Sequence, residues 1–358
     1  MNRQGSVFIL FLWVMILFAL LASSVAFRTR LESKVRGFER NSFEMKYDFL
    51  SAVNLARFSI ESDEDPAVDS KEDGWYGTPQ AFKGSSFSER FDMEISDEES
   101  KIDLNKASAP LLEKFCEVLK DHDISLETDP KDLAGSILAW RGQASPRGRP
   151  TIGFDQKRAP FESLEELELI QFISIHDAEL LRPFVTVYGQ VIGPVMRVNL
   201  NTVHPYVLEA IVFSLAGGDF TKRELFQKIE EFRNGKGEDA LVPGVKQVFR
   251  AEDLRPDVFI QKLGLSNSSS MLQVVSQLMI FLTVDSQYFS VRVRSRLPHK
   301  ESFILDAVLG PRTLRPLGIR GASVSATLLS RMGKPILVPL EILDWHPEIE
   351  IPLKRTAP

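Results

Sequence analysis

Between Ser62 and Gly74 the chain places six carboxylates: Asp63, Glu64, Asp65, Asp69, Glu72 and Asp73. Calcium takes six to eight oxygen ligands in flexible geometry, so a loop of this composition offers the right donors. Asp65, Asp69 and Asp73 are the candidate ligands. The spacing is not that of an EF-hand loop, and the ordinary role of an acidic surface loop is solvation. The other reactive side chains form no pattern. His122, His176, His204, His299 and His346 lack metal-ligand spacing. The single cysteine, Cys116, stands in the apolar run LLEKFCEVL, where it reads as a small buried hydrophobe. No phosphate-binding loop, nucleophile elbow, HExxH or CxxC is present. The residues point to a chain that is not an enzyme and requires no cofactor.

Composition agrees with a non-catalytic, non-nucleic-acid reading. The 358 residues carry a net charge of −6, with 44% hydrophobic and 26% charged residues. Nucleic-acid binding rests on clustered Lys and Arg, and this balance supplies no such excess. One cysteine cannot form an internal disulfide, so thiol usage does not fix the compartment. The length exceeds one ordinary domain.

The elements that must position these residues begin with an apolar segment. Val7–Phe27 carries no charge and is long enough to cross a bilayer as a helix. Three readings of it compete. ASSVA, ending at Ala26, offers small residues for signal-peptide cleavage. An uncleaved anchor is the second. The third comes from the leader MNRQG, which has the form of a type IV prepilin leader cut between Gly5 and Ser6. The helical pattern continues past the apolar run: Leu31, Val35, Phe38, Ser42, Met45, Phe49, Ala52 and Ala56 alternate by four and three. No proline interrupts residues 6–60, and Gly37 is the only glycine there. One helix of about 80 Å is expected, membrane-bound in its first half and amphipathic in its second.

After this helix the texture changes twice. Residues 61–100 are acidic and turn-rich, with one strand expected at RFDMEI. Residues 101–265 read as helical, with candidates at 110–120, 131–141, 163–171, 176–181, 205–215 and 222–233. From Gln287 the segments YFSVRVRSR, SFILDAVLG, ASVSATLLSR and KPILVPLEILDW read as strands. The strands need a partner layer, and the amphipathic half of the first helix supplies one. The expected fold is α+β: a long N-terminal helix packed on an antiparallel sheet, with a large α-helical insertion. The expected divisions are residues 1–5 (leader), 6–27 (membrane half of the helix) and 28–100 (rest of the helix and start of the head). Residues 101–270 (insertion with two related modules) and 271–358 (C-terminal strands) follow.

The two modules rest on a repeated phrase. IDLNKASAPLLEKF from Ile102 and VNLNTVHPYVLEAI from Val198 align at an offset of 96. The alignment matches Leu104 with Leu200, Asn105 with Asn201 and Leu112 with Leu208. Each copy is followed by a second helix ending in aromatic-Arg, ILAWRG at Ile137–Gly142 and IEEFRN at Ile229–Asn234. The Asn, or a nearby Ser or Thr, is suited to capping the coming helix. Phrases of this type open helix-hairpin-helix units, some of which bind DNA through a glycine-containing hairpin. Here only the second copy has a Gly pair, and Asp219 follows it. A structural pair of modules is the expected reading.

Taken in order, MNRQG–SVFILFLW, DGWYG (Asp73–Gly77), DLNKAS with ILAWRG, FESLEEL (Phe161–Leu167), VNLNT (Val198–Thr202), FSVRVRSR and ILDW resemble the general secretion pathway protein K family. Its members are the large minor pseudopilins of the type II secretion system. The resemblance spans almost the whole chain. It implies a pilin-like fold with a helix-hairpin-helix (SAM-like) insertion, cleavage between Gly5 and Ser6 by a prepilin peptidase, and N-methylation of Ser6. It also implies a place at the pseudopilus tip beside minor pseudopilins of the I and J types, and contact with the inner-membrane secretion platform. The secretin and exoproteins are further partners it suggests. The implied location is the inner membrane, single-pass, with the C-terminal domain in the periplasm and no nucleic-acid partner. Leu10 stands where most pilins carry a glutamate, a departure that suits a subunit with no neighbour beyond it. Leu10 and Trp13 belong to the helix that packs first in lipid and then in the filament. Structural calcium is a property of this family, although the resemblance assigns no ligand positions here. Two rival readings stand beside it: an uncleaved bitopic protein whose periplasmic helical module binds a ligand, and a DNA-handling pilin-like protein of a competence system.

Overall fold

The computed structural model describes residues 3–143, 157–189, 193, 195–235, 247–296, 302–312, 314–315, 336–337 and 341–350. The chain divides into two units, Met1–Asn54 and Leu55–Pro358. The first unit is one continuous helix, α1 (Arg3–Glu61), whose final turns belong to the second unit. Leu10–Gly37 has a mean hydropathy of 2.5 and is the candidate membrane span among the described residues. An Arg28–Glu32 pair at 3.1 Å in the last part of that span and an Arg40–Glu44 pair at 2.9 Å beyond it follow the i,i+4 spacing of a solvated helix. Of the expected amphipathic stripe, Leu31 and Val35 are exposed, while Phe49, Ala52 and Ala56 are buried. The side chains of Phe38 and Ser42 lie outside the described residues.

After the last turns of α1, the second unit continues with the short helix α2 (Gln80–Lys83) and strand β1 (Phe91–Asp97). A helical block follows. It comprises β2 (Ile102–Asp103), α3 (Ala109–Asp121), α4 (Pro130–Trp140), α5 (Ile175–Leu181) and β3 (Val185–Thr186). It continues through β4 (Val198–Asn199), α6 (Pro205–Ser214), α7 (Asp219–Arg233), α8 (Pro256–Lys262), α9 (Ser269–Leu278) and β5 (Leu282–Thr283). The chain then returns to strands: β6 (Phe289–Ser295), β7 (Ser302–Gly310), β8 (Leu314–Arg315), β9 (Ile336–Leu337) and β10 (Glu341–Glu350). The expected strand at ASVSATLLSR lies outside the described residues.

The main sheet has the order β1-β6-β7-β10, and all three pairings are antiparallel. Strands β1 and β6 are neighbours in the sheet, yet the whole helical block lies between them in sequence. The block is therefore an insertion at a single strand-to-strand connection. Alternation sets the faces. Phe91, Met93 and Ile95 on β1 point inward with Phe289, Val291 and Val293 on β6 and Leu305, Ala307 and Leu309 on β7. On the other face Arg292 of β6 meets Asp306 of β7 through two hydrogen bonds of 2.7 and 3.1 Å. The insertion has its own continuous apolar core, from Ile102 to Val284.

Two helices escape the sequence reading. Helix α8 begins on Pro256, and α9 carries the helical block past the expected boundary at residue 270. Ser268 caps α9 by accepting a bond from the Met271 amide at 3.2 Å. Met271, Val274, Val275 and Leu278 then bury one helical face.

The DGWYG segment works as an anchor on β1. Gly77 has φ of 68°, a left-handed conformation that favours glycine, and it exchanges backbone bonds of 2.8 and 2.7 Å with Ile95. That turn drives Trp75 into the core at 1% exposure, edge-on to Phe289 with ring centroids 5.0 Å apart. Replacing this ring empties a closed site. Trp75→Ala is expected to lower stability by about 3–5 kcal/mol, read from denaturant unfolding of the detergent-solubilised chain.

Candidate functional site: an acidic hub and two related helical modules

The predicted processing and filament residues lie on α1. Gly5 and Ser6 are in its first turns. Leu10 and Trp13 are 67% and 68% exposed among the described residues. An apolar surface of this kind needs lipid or another subunit against it.

The acidic segment does not simply solvate. Asp63, Asp69 and Asp73 bring carboxylate oxygens within 4.8 Å of one another. Of the three predicted ligands, Asp69 and Asp73 belong to this group and Asp65 does not. Asp65 is half-exposed and faces Arg250 at 3.7 Å, while Asp63 takes the third place. Alternation along the turn decides this: Asp63 directs its Oδ1 toward the Asp65 amide and keeps Oδ2 buried. The guanidinium of Arg312, from the segment after β7, enters the same group. It pairs with Asp69 and lies 3.8 Å from Asp63 Oδ2.

Donor accounting tests this group as a calcium site. Asp73 spends both oxygens on Ser70, one on its amide at 2.7 Å and one on its hydroxyl at 2.9 Å. Asp69 Oδ2 accepts from Arg312 and from the Ser286 amide. The carboxylate oxygens left buried without a hydrogen bond are Asp63 Oδ2 and Asp69 Oδ1. Calcium needs about six to eight oxygens, and a guanidinium already stands among these. The arrangement as folded does not fit the ion.

Three consecutive acids at the end of β1 extend this group into a hub. Asp97, Glu98 and Glu99 are all buried. Asp97 Oδ2 accepts from Ser286 Oγ at 2.6 Å, Asn199 Nδ2 at 3.2 Å and Thr202 Oγ1. Glu98 pairs with Lys101 and accepts from Thr186 Oγ1. Glu99 accepts from the Gln287 amide at 3.1 Å. Asp97 thus holds the second module, Glu98 the first, and Glu99 the return to β6. Burial raises the carboxyls of Asp69 and Asp97 above the ordinary aspartate range by penalising the charged form.

The repeated phrase folds the same way twice. Asp103 Oδ1 accepts the Asn105 amide at 2.8 Å, and Asn199 Oδ1 accepts the Asn201 amide at 3.0 Å. Leu104 N donates to Thr186 O at 2.8 Å, and Leu200 N to Thr283 O at 2.9 Å. Each phrase starts with a parallel two-residue ladder, β2 with β3 and β4 with β5. Of the expected caps, Asn or a nearby Ser or Thr, the asparagines do not serve: Ser108 stands at the N-cap of α3 without a side-chain bond, and His204 caps α6 by accepting from the Tyr206 amide. Asn105 exchanges two bonds with the backbone of Phe161, at 3.0 and 2.7 Å. Asn201 does the same with Phe249, at 3.0 and 2.8 Å. A planar amide matches a peptide edge bidentately, which a Ser or Thr hydroxyl cannot do. The closing arginines are also equivalent. Arg141 donates to the Leu104 and Ala107 carbonyls at 2.5 and 2.9 Å, and Arg233 to the Val203 carbonyl at 2.7 Å.

The two modules share a second repeated phrase. FESLEEL at Phe161 has its counterpart in FRAEDL at Phe249, each leading through a short 3-10 turn into a short helix, α5 or α8. A different offset hides it in the sequence; the shared signal is a Phe followed by Glu or Asp and Leu. The Gly pair of the second copy has a packing role. A Cβ on Gly217 would meet the Val274 side chain at 2.6 Å. The nearby Lys222 is buried and donates to the Phe213 carbonyl at 3.3 Å.

Asn201→Ala leaves the buried amide and carbonyl of Phe249 unpaired, at about 1–3 kcal/mol for each group, and is expected to lower the unfolding midpoint. Asp103 is expected to make stability fall as pH rises. Burial lifts its carboxyl to about 6, so the folded chain keeps a proton there that the unfolded chain releases near pH ~4. This contribution is complete below about pH 4 and is lost as pH rises through about 6. Asp103→Asn imitates the natural Asn199, and its stability relative to the original chain is expected to improve by ~2–3 kcal/mol between pH 4 and 7 in paired unfolding curves.

No protein-family model and no curated protein sequence matches the chain. Among solved structures it is similar to a chain of the GspK-GspI-GspJ complex from the enterotoxigenic Escherichia coli type 2 secretion system. Identity is 14%, with a TM-score of 0.51, and the match covers 90% of this chain and 99% of that one. The long helix, the antiparallel sheet and the helical insertion therefore form an α+β pilin-like fold, and the chain resembles the general secretion pathway protein K family in fold as well as in its motifs.

Proposed function

We propose that this chain is a minor pseudopilin of the type II secretion system, acting by assembly rather than catalysis. The observation that carries the reading is the combination on one chain of an exposed apolar helix and a pilin-like sheet whose β1–β6 connection holds a large helical insertion. The similarity to a chain of the solved GspK-GspI-GspJ complex supports it, since that fold is found there beside two other subunits.

In this reading the precursor spans the inner membrane once, with its C-terminal domain in the periplasm. A prepilin peptidase cuts between Gly5 and Ser6, and Ser6 is N-methylated. The mature helix leaves lipid to join minor pseudopilins of the I and J types. Leu10 and Trp13 then exchange lipid contacts for helix contacts, a change that conserves their apolar surroundings. At position 10 the chain carries no carboxylate that would need a partner inside the membrane. The insertion widens the head, so repeated stacking of this subunit is sterically disfavoured and a single copy at the tip is favoured. The tip complex would start pseudopilus growth and contact the secretion platform, the secretin and exported folded proteins.

The test is the mature N-terminus. Protein isolated from membranes of a host with a prepilin peptidase is expected to begin at N-methyl-Ser6 by intact mass and N-terminal sequencing. Gly5→Ala is expected to leave it uncut. A start at Met1 in the unsubstituted chain, or at Phe27, would remove the basis of the proposal.

A further inference from the structure

The acidic turn of residues 63–73 has the composition of a cation site, and the structure supplies a cation from the protein itself. Arg312 is 3% exposed and lies 246 positions, by number, beyond Pro66 at the middle of the turn. Its backbone amide donates to Gln287 O at 2.8 Å, which fixes where the side chain enters. Its guanidinium pairs with Asp69 through Nη2 and places Nη1 3.8 Å from Asp63 Oδ2. The guanidinium carbon lies 4.9 Å from the centroid of the Phe289 ring, on the inner face of β6. A planar, permanently charged group suits this position, because it meets carboxylates edge-on and an aromatic ring by its charge.

We infer that Arg312 is the resident cation of the acidic turn and that the turn closes without a metal ion. Charge placement supports this. Asp69 is fully buried, and a buried carboxylate is tolerated only with a cation or donors at hand. Its Oδ2 receives the guanidinium and the Ser286 amide, its amide donates to Val284 O at 2.7 Å, and its carbonyl accepts from Asn199 Nδ2 at 3.1 Å. Asp69 is thereby tied to the second module, to the return into β6 and to the segment after β7. A divalent ion seated between Asp63 and Asp69 would face the guanidinium at close range, and like charges in a poorly solvated site repel strongly. With Asp73 engaged on Ser70, the remaining free oxygens fall well short of a calcium shell. The arginine thus performs in this chain the bridging that acidic turns elsewhere obtain from calcium.

The experiment uses the full chain in detergent micelles and calcium itself as the probe. Metal content is measured on protein purified without chelator, and melting is followed in EGTA and in millimolar calcium. The expected result is protein free of stoichiometric calcium, with the same melting temperature in both solutions. Arg312→Gln is expected to melt roughly 10 °C lower, since it leaves a buried carboxylate unpaired, and to gain a calcium-dependent rise. Stoichiometric calcium in the unsubstituted chain, or a melting temperature that drops in EGTA, would overturn the inference. So would an Arg312→Gln chain that melts with the original. If that variant fails to fold, the metal content and EGTA response of the unsubstituted chain still decide.

Discussion

Three consecutive buried carboxylates at the end of β1 hold this head together. A run of acids is normally placed in water, because burying an unpaired charge costs several kcal/mol. Here Asp97, Glu98 and Glu99 stand where the sheet ends and the insertion begins, and their donors come from the second module, from Thr186 of the first, and from Ser286 and Gln287 on the return to β6. The arrangement solves a topological problem. A long insertion between two paired strands has to leave and return at adjacent points, and both ends must be fixed for β1 and β6 to pair. Directional bonds to carboxyl oxygens fix such points better than apolar contact, which tolerates sliding.

The insertion is two variations on one local design. In each copy an Asp or Asn closes a tight turn, an Asn binds the backbone of a distant Phe, and an Arg from the second helix returns to the carbonyls of the first phrase. The side chains that differ are those facing the hub. Asn199 in the second module bonds Asp69, Asp97 and Ser286, whereas Asp103 in the first is packed against Gly189, where a Cβ would meet its Oδ2 at 2.3 Å. An amide donates and accepts, so it can join a group of carboxylates. A carboxylate in that place would add a further negative charge to a crowded one.

The apolar helix obeys a separate constraint. From Leu10 to Phe27 it offers large exposed side chains, and its regularity needs no tertiary support because every interior backbone bond is local. The head and the helix are thus stabilised by different physics, one by burial and directional bonds and the other by an apolar surrounding.

The sequence by itself determined the elements whose signals are periodic or punctuated. The uncharged run with no proline dictated α1, alternation dictated β1, β6 and β7, and the repeated LN phrase announced two related modules. These are short-range signals, carried by backbone propensity and by which face each side chain takes. Tertiary structure decided what the polar residues do. Asn105 and Asn201 bind backbone 56 and 48 residues away rather than capping their helices, Asp63 displaces Asp65 from the acidic group, and Arg312 reaches that group from 243 residues past Asp69. A side chain's hydrogen-bond capacity is written in its chemistry, but its partner is set by which segments the apolar core brings together. That long-range choice leaves no period in the sequence to read.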